Sequence, residues 1–319
     1  MSILRSNLDR RGFLQAGSAA VAGTLLSHNS ACVSRKATSK CAASLGKEAA
    51  AYVEPKADLA DRGIRVGLMH APPVAGDLVE NWTTFEKLAR KAGAKNVDIF
   101  ISPECFLDGY AVHYADWDRQ RLLEGGRVAA KQYVPQAKSL ARELKMMVVF
   151  CTTYTTGKRC YNSAFLIGSD GKQIGRYDKT HLLDHDLAFD AGLGIPVFGT
   201  PFGTVGIMIC ADRRWPETAR TLRVQGAKLI LNPTYGMRHR KNEWWMRTRS
   251  YENECYICFA HPTLSLVTDP ESEVHAKVSS KKPGVLVTTI DLSNCPTKMF
   301  DARRPEIYTP ITLPKELNV

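Results

Sequence analysis

Short apolar runs alternate with amphipathic stretches along most of this chain. Residues 64–70, 97–102, 146–153, 228–231, 256–260 and 284–291 are strand-length runs rich in Val, Ile, Leu and Phe, as expected of strands buried on both faces. Residues 81–94, 127–144, 216–225 and 242–254 instead carry apolar side chains at helical spacing, as in Trp82, Phe85, Leu88 and Ala89. Each predicts a helix with one buried stripe. Residues 161–167 and 173–177 flank Ser169-Asp170-Gly171, and residues 264–268 and 274–278 flank Asp269-Pro270-Glu271-Ser272. Turn chemistry between paired runs predicts antiparallel hairpins. Helix–strand alternation mixed with hairpins predicts an α/β layered sandwich with mixed sheets. With no linker-like stretch after about residue 63, residues 63–319 read as one domain.

The run Val205-Gly206-Ile207-Met208-Ile209 ends abruptly at Cys210, and Ala211-Asp212-Arg213-Arg214-Trp215-Pro216-Glu217 follows. Pro216 suits a first helical turn and Glu217 suits the positive end of the helix dipole, so a buried strand gives way here to a helix. A thiol at such a junction faces oriented amides and two nearby arginines. Both favour the thiolate, which makes Cys210 a candidate nucleophile.

Residues ahead of the domain have a different character. Asp9-Arg10-Arg11-Gly12-Phe13-Leu14-Gln15 precedes an apolar, small-residue stretch over 16–26. That resembles a twin-arginine export signal, too short to span a bilayer as a mature anchor. Residues 1–31 are therefore expected to be a cleaved signal directing export, to the periplasm, and 32–62 a linker. Asn29-Ser30-Ala31-Cys32 bears a faint likeness to a lipid-attachment site at Cys32. A net charge of +11 is spread along the chain and not gathered in a block, so it does not mark a nucleic-acid binder. Arg238-His239-Arg240-Lys241 with Trp244, Trp245 and Arg247 is the one basic–aromatic cluster. The helical spacing of its tryptophans reads as pocket rim and core. Nine cysteines follow no disulfide framework; Cys151, Cys255 and Cys258 lie in or beside apolar strands and read as buried, inert thiols. No histidine pair has zinc-ligand spacing, so no zinc site is expected.

Three chemically distinct groups fall at ends of predicted strands. Glu104 follows Ile99-Phe100-Ile101-Ser102-Pro103, Lys179 follows the returning hairpin strand, and Cys210 follows its own. A carboxylate base, an ammonium and a thiolate together make an acyl-transfer set. Taken singly, each also fits a cap, a solvated turn or a core thiol.

Ser102-Pro103-Glu104, Tyr177-Asp178-Lys179-Thr180-His181-Leu182 and Cys210-Ala211-Asp212-Arg213-Arg214-Trp215-Pro216-Glu217 resemble, in order, the signature segments of the nitrilase superfamily of carbon–nitrogen hydrolases. The last segment is most similar to that of N-carbamoyl-D-amino acid amidohydrolases, with carbamoylputrescine amidase-like members alongside. Arg249-Ser250-Tyr251-Glu252-Asn253 and Arg303-Arg304-Pro305-Glu306-Ile307-Tyr308 extend the likeness, which runs from about residue 64 to 308. The resemblance implies a four-layer αββα sandwich of two pseudo-symmetric halves, usually assembled as a dimer or higher homo-oligomer. It implies that Cys210 attacks an amide or N-carbamoyl carbonyl, releases ammonia or an amine and leaves a thioester for water. Glu104 would relay protons, Lys179 with the backbone N–H after Cys210 would hold the oxyanion, and no metal or organic cofactor would be required. Arg213 and Arg214 would grip a substrate carboxylate, with His181 and His185 as further substrate-binding candidates.

One departure stands out. The family places a second glutamate seven residues before a glycine in the loop between lysine and cysteine, and counting back from Gly192 lands on His185. Asp184 or Asp186 supplies the carboxylate after a small shift, or His185 takes over, or the site is altered. His261 likewise stands where Asn is common. The rival readings are nitrile hydrolysis by the same thiolate and a non-catalytic binding or assembly relative.

Overall fold

The computed structural model describes residues 63–113, 118–237 and 239–312. Residues 1–62, where an export signal and a linker are expected, lie outside the described residues, as does Cys32. Sheet one contains β1 (Ile64–His70), β2 (Ile99–Ile101), β3 (Met147–Thr156), β4 (Arg159–Ile167), β5 (Gln173–Asp178) and β12 (Gly284–Ile290). Sheet two contains β6 (Val197–Thr200), β7 (Gly203–Ile207), β8 (Leu229–Pro233), β9 (Tyr256–Ala260), β10 (Leu264–Thr268) and β11 (Val274–Ser279).

The sheets repeat one topology, in the orders β12-β1-β2-β3-β4-β5 and β6-β7-β8-β9-β10-β11. Three central strands run parallel in each, β1 to β3 and β7 to β9. Their third strand continues into an antiparallel meander, and one antiparallel strand closes the opposite side. This doubled arrangement agrees with the pseudo-symmetric halves expected from the resemblance.

Alternation along the strands builds the layers. Ile99 and Ile101 of β2 join Val66, Leu68, Ile207, Leu229 and Leu231 in a core shared by both sheets. Phe100 between them points the other way, into a cluster with Phe85, Leu88, Ala137 and Leu140. Those four residues belong to α1 (Leu78–Gly93) and to α3 (Val134–Leu144). On the outer face of sheet two, Ile230 and Ile257 meet Ala219 and Leu222 of α4 (Pro216–Val224) and Met246 of α5 (Lys241–Asn253). The result is the expected αββα sandwich, with both faces of each central strand covered.

Two elements differ from their prediction. The helix expected over 127–144 begins at α2 (Arg119–Val128), where Asp118 caps it by accepting from the Arg121 amide at 2.9 Å. The last turn of α2 carries Gly125 and Gly126, which dilute the apolar stripe; Gly126 is buried against Thr155 of β3. A widened π turn at Ala129–Tyr133 then joins α2 to α3, just ahead of Pro135, whose missing N–H removes a ladder bond. Strand β6 was not expected; four residues interrupted by Gly199 give too little periodicity to read.

Close packing under α4 sets the direction of the strand that leads to Cys210. A Cβ on Gly206 would meet Leu222 side-chain carbons at 3.0 to 3.1 Å. Gly206→Val is expected to lower stability by about 1–3 kcal/mol through overpacking, read as a lower urea midpoint.

Candidate active site

Strand ends bring the candidate residues together. The backbone after β2 folds into tight turns, with Cys105, Gly109 and Tyr110 all at positive φ. Asp108 fixes this loop by accepting from the amides of Ala111 at 3.0 Å and Thr153 at 2.9 Å. Glu104 is thereby held fully buried. Its Oε1 accepts from Asn162 Nδ2 at 2.8 Å and Lys179 Nζ at 3.0 Å, and its Oε2 from the Tyr235 amide at 2.9 Å.

Lys179, immediately beyond β5, is buried as completely as Glu104. Its ammonium donates to Glu104, to Asp186 Oδ2 at 2.7 Å and to Tyr110 Oη at 3.3 Å, so its three protons have three acceptors. Tyr110 in turn donates a short hydrogen bond to Asp186. Burial alone would push the amine toward neutrality, but the charges of Glu104, Cys210 and Asp186 outweigh it and raise its pKa. Burial also opposes ionisation of Asp186, yet Lys179 and the Tyr110 hydroxyl hold that carboxyl below the usual aspartate range.

Cys210 occupies the sharp corner after β7, at φ 46°. Few non-glycine residues adopt this left-handed backbone. A 3-10 turn, Cys210–Arg214, follows, and Pro216 opens α4. Asp212 pins the corner by accepting from the Ile209 amide at 2.8 Å. The same carboxylate takes Tyr177 Oη at 2.7 Å and the His181 amide at 3.1 Å, and pairs with His181 Nδ1 at 2.7 Å. It therefore ties the thiol's corner to the segment carrying Lys179. The thiol is buried, and its pKa is raised by that burial and by Glu104, against the opposing pull of Arg213 and Lys179.

The neighbouring candidates take distinct places, and of the alternatives for the second carboxylate Asp186 is the one that reaches Lys179. Asp186, not His185, takes the carboxylate position beside Lys179. His185 lies outside it, partly exposed, with Nε2 3.7 Å from Asp186. The short loop places a 3-10 turn, Asp184–Asp186, so that the buried side chain falls one residue later than counting from Gly192 suggests. The two arginines also separate. Arg213 is buried, donates from Nε and Nη2 to Asn242 Oδ1 at 3.1 and 2.7 Å, and from Nη1 to Cys210 Sγ at 3.3 Å. Each of its three nitrogens thus makes one hydrogen bond inside the protein. Arg214 is exposed, with its guanidinium 5.7 Å from the Trp245 ring centroid. His181 stacks on Trp215 at 4.2 Å, with its Nδ1 spent on Asp212.

Sequence reasoning did not single out Tyr110, Asn162, the Tyr235 amide, Asp212 or Asn242. Asn162 was a readable signal, being an amide in a strand that is mostly apolar. Tyr110 gave none, since its position depends on backbone turns. The seven described cysteines are buried and form no disulfide with one another. Among the described residues no three His, Cys, Asp or Glu side chains group as metal ligands, and no helix is long and apolar enough to cross a membrane.

The carbon-nitrogen hydrolase family model matches residues 65–297. This chain belongs to the carbon–nitrogen hydrolase family, whose members hydrolyse non-peptide carbon–nitrogen bonds. It is 30% identical to a nitrilase of Pyrococcus abyssi over 275 residues, 77% of this chain and 99% of the relative. With the N-carbamoylputrescine amidase of Arabidopsis thaliana it shares 26% over 279 residues, 73% of this chain and 90% of the relative. An amidase structure from Nesterenkonia sp. AN1 superposes with a TM-score of 0.69 at 20% identity, covering 79% of this chain and 97% of the amidase. As a carbon–nitrogen hydrolase, the chain carries its buried ion cluster at the meeting point of loops from both sheets.

The depressed Asp186 carboxyl has a pH consequence. Its contribution to stability is fully present above the unfolded aspartate value of about 3.9 and fades as pH falls through the lower folded value. Asp186→Asn, which leaves the Lys179–Glu104 pair in place, is expected to lower stability by about 3–5 kcal/mol near neutrality. The difference from the parent should shrink below about pH 4, as followed by urea midpoints across the acid range.

Proposed function

We propose that this hydrolase cleaves a small amide or N-carbamoyl compound through a thioester on Cys210. What carries this reading is the buried Glu104–Lys179–Asp186 cluster, electrostatically coupled to a thiol on a strained corner. Support comes from the Nesterenkonia amidase, one structure of which shows the acetamide moiety of fluoroacetamide attached covalently to its active-site cysteine. Glu104 takes the thiol proton, the sulfur attacks the carbonyl carbon, and negative charge develops on the carbonyl oxygen. Lys179 and the Ala211 backbone N–H hold that oxygen. Glu104 then passes its proton to the departing nitrogen, which leaves as ammonia or an amine, and deprotonates the water that cleaves the thioester. Asp186 keeps Lys179 charged and aimed throughout.

Because Arg213 is committed, an acidic substrate group would be met by the exposed Arg214. A nitrile is the second substrate class, favoured by the likeness to the Pyrococcus nitrilase; the same thiolate would add to the nitrile carbon. His185 is the motive for a non-catalytic reading, and the Asp186 carboxylate beside Lys179 favours the catalytic one. Export through the twin-arginine segment and assembly into a homo-oligomer complete the reading.

Cys210→Ala is expected to fold and to release no ammonia from N-carbamoyl amino acids, simple amides or nitriles; turnover at the parent rate would reject the nucleophile. Glu104→Gln should lower kcat by at least about 100-fold, with a smaller change in KM. Arg214→Ala should raise KM about ten-fold for carboxylate-bearing substrates and leave neutral amides unchanged, a loss of about 1.4 kcal/mol confined to the charged group.

A further inference from the structure

Arg213 is a buried guanidinium without a carboxylate. It is 1% exposed, and no carboxylate among the described residues lies within ion-pair distance of it. Two of its nitrogens are satisfied by the neutral amide oxygen of Asn242, and the third points at Cys210 Sγ from 3.3 Å. Its flat faces are covered by aromatic rings, with Trp245 at 5.2 Å and Phe259 at 5.7 Å from the guanidinium carbon. Arg249 fixes the backbone on either side by donating to the carbonyl oxygens of Arg213 at 3.2 Å and Arg214 at 3.1 Å. Such a fixed cation cannot follow a substrate, and a buried charge without a counter-ion is costly.

We propose that the counter-ion is the Cys210 thiolate, and that Arg213 is a fourth catalytic residue, holding the sulfur's negative charge once the thiol proton has left. The inference rests on Cys210 being the nucleophile. Around the sulfur, Glu104 and Asp186 carry negative charge and Lys179 and Arg213 positive charge, which sum to zero, while the buried Asp212 has its own donors in Ile209, Tyr177 and His181. When the S–H bond breaks and its proton joins Glu104, negative charge moves from that carboxylate to the sulfur. The net charge of the buried site does not change. Lys179 then retains Asp186 as its anion and Arg213 gains the thiolate, so each cation faces one anion. Asn242 is a positioning residue here. Its oxygen takes two N–H groups and its amide nitrogen donates to the Met237 carbonyl, which aims Nη1 at the sulfur.

The test uses iodoacetamide, a neutral probe, with alkylation of the Cys210 peptide followed by mass spectrometry as pH is varied. It reads the thiolate without requiring turnover. In Arg213→Gln the alkylation midpoint should move up by at least about one pH unit, the effect of removing an opposite charge at contact distance. kcat for a neutral amide should fall with it, and KM should change little. Asn242→Asp supplies a second variant should the first fail to fold. A carboxylate bonded to Arg213 would compete for its charge and should also move the midpoint upward. An unchanged alkylation profile in a folded variant, with loss confined to KM for carboxylate-bearing substrates, would overturn the proposal and make Arg213 a substrate clamp. Hydrolysis persisting in Cys210→Ala would instead overturn the underlying assignment of the nucleophile, so the two failures are distinguishable.

Discussion

One buried ammonium organises this molecule. Lys179 is fully buried, so its charge is tolerable only because Glu104 and Asp186 approach it together and Tyr110 accepts its remaining N–H. Desolvating such charges costs several kcal/mol per ion unless the geometry is well met. The acceptors arrive on separate segments, after β2, in the turns that follow it, and in the 3-10 turn beyond Lys179 itself. Tyr235, after β8 of the other sheet, adds an amide to Glu104. Satisfying one cation therefore fixes the loops of both sheets against each other.

A second polar hub sets the thiol's direction. Asp212 accepts from both sides of the site, taking the Ile209 amide at the corner and the hydroxyl, amide and imidazole of the Tyr177–His181 region. The left-handed backbone at Cys210 would be unfavourable by itself. The Asp212 bonds, the buried β7 behind it and the helix beginning at Pro216 over-determine it. The corner can then present sulfur to the ion cluster while the residues on both sides stay in the core.

The two arginines after Cys210 show how identical side chains part company. Arg213 lies on the inner side of the 3-10 turn, where Asn242, Trp245 and Phe259 enclose it, and Arg214 lies on the outer side. A single turn of backbone separates a fixed internal charge from one left at the surface. Likewise, the histidine that replaces an expected glutamate in the sequence does not replace it in space, because the neighbouring Asp186 reaches Lys179 instead.

The strand and helix order was legible because burial on both faces writes continuous apolar runs, and one-sided burial writes helical stripes. Strands β1, β9 and β10 begin and end where the pattern placed them. Cys210, Lys179 and Glu104 were legible because each stands where a predicted strand stops, and three such stops with complementary chemistry resemble one family. Positions relative to other segments were not encoded locally. Tyr110 on Lys179, Asp186 in place of its neighbours, Asn242 beneath Arg213 and Asp212 joining two loops depend on distances between residues as much as 69 apart in the chain. The sequence alone determined which groups exist and which strand ends carry them. Only the packed sheets decided which groups share a charge, because a buried ion is stabilised by whatever partners the tertiary structure brings within about 3 Å.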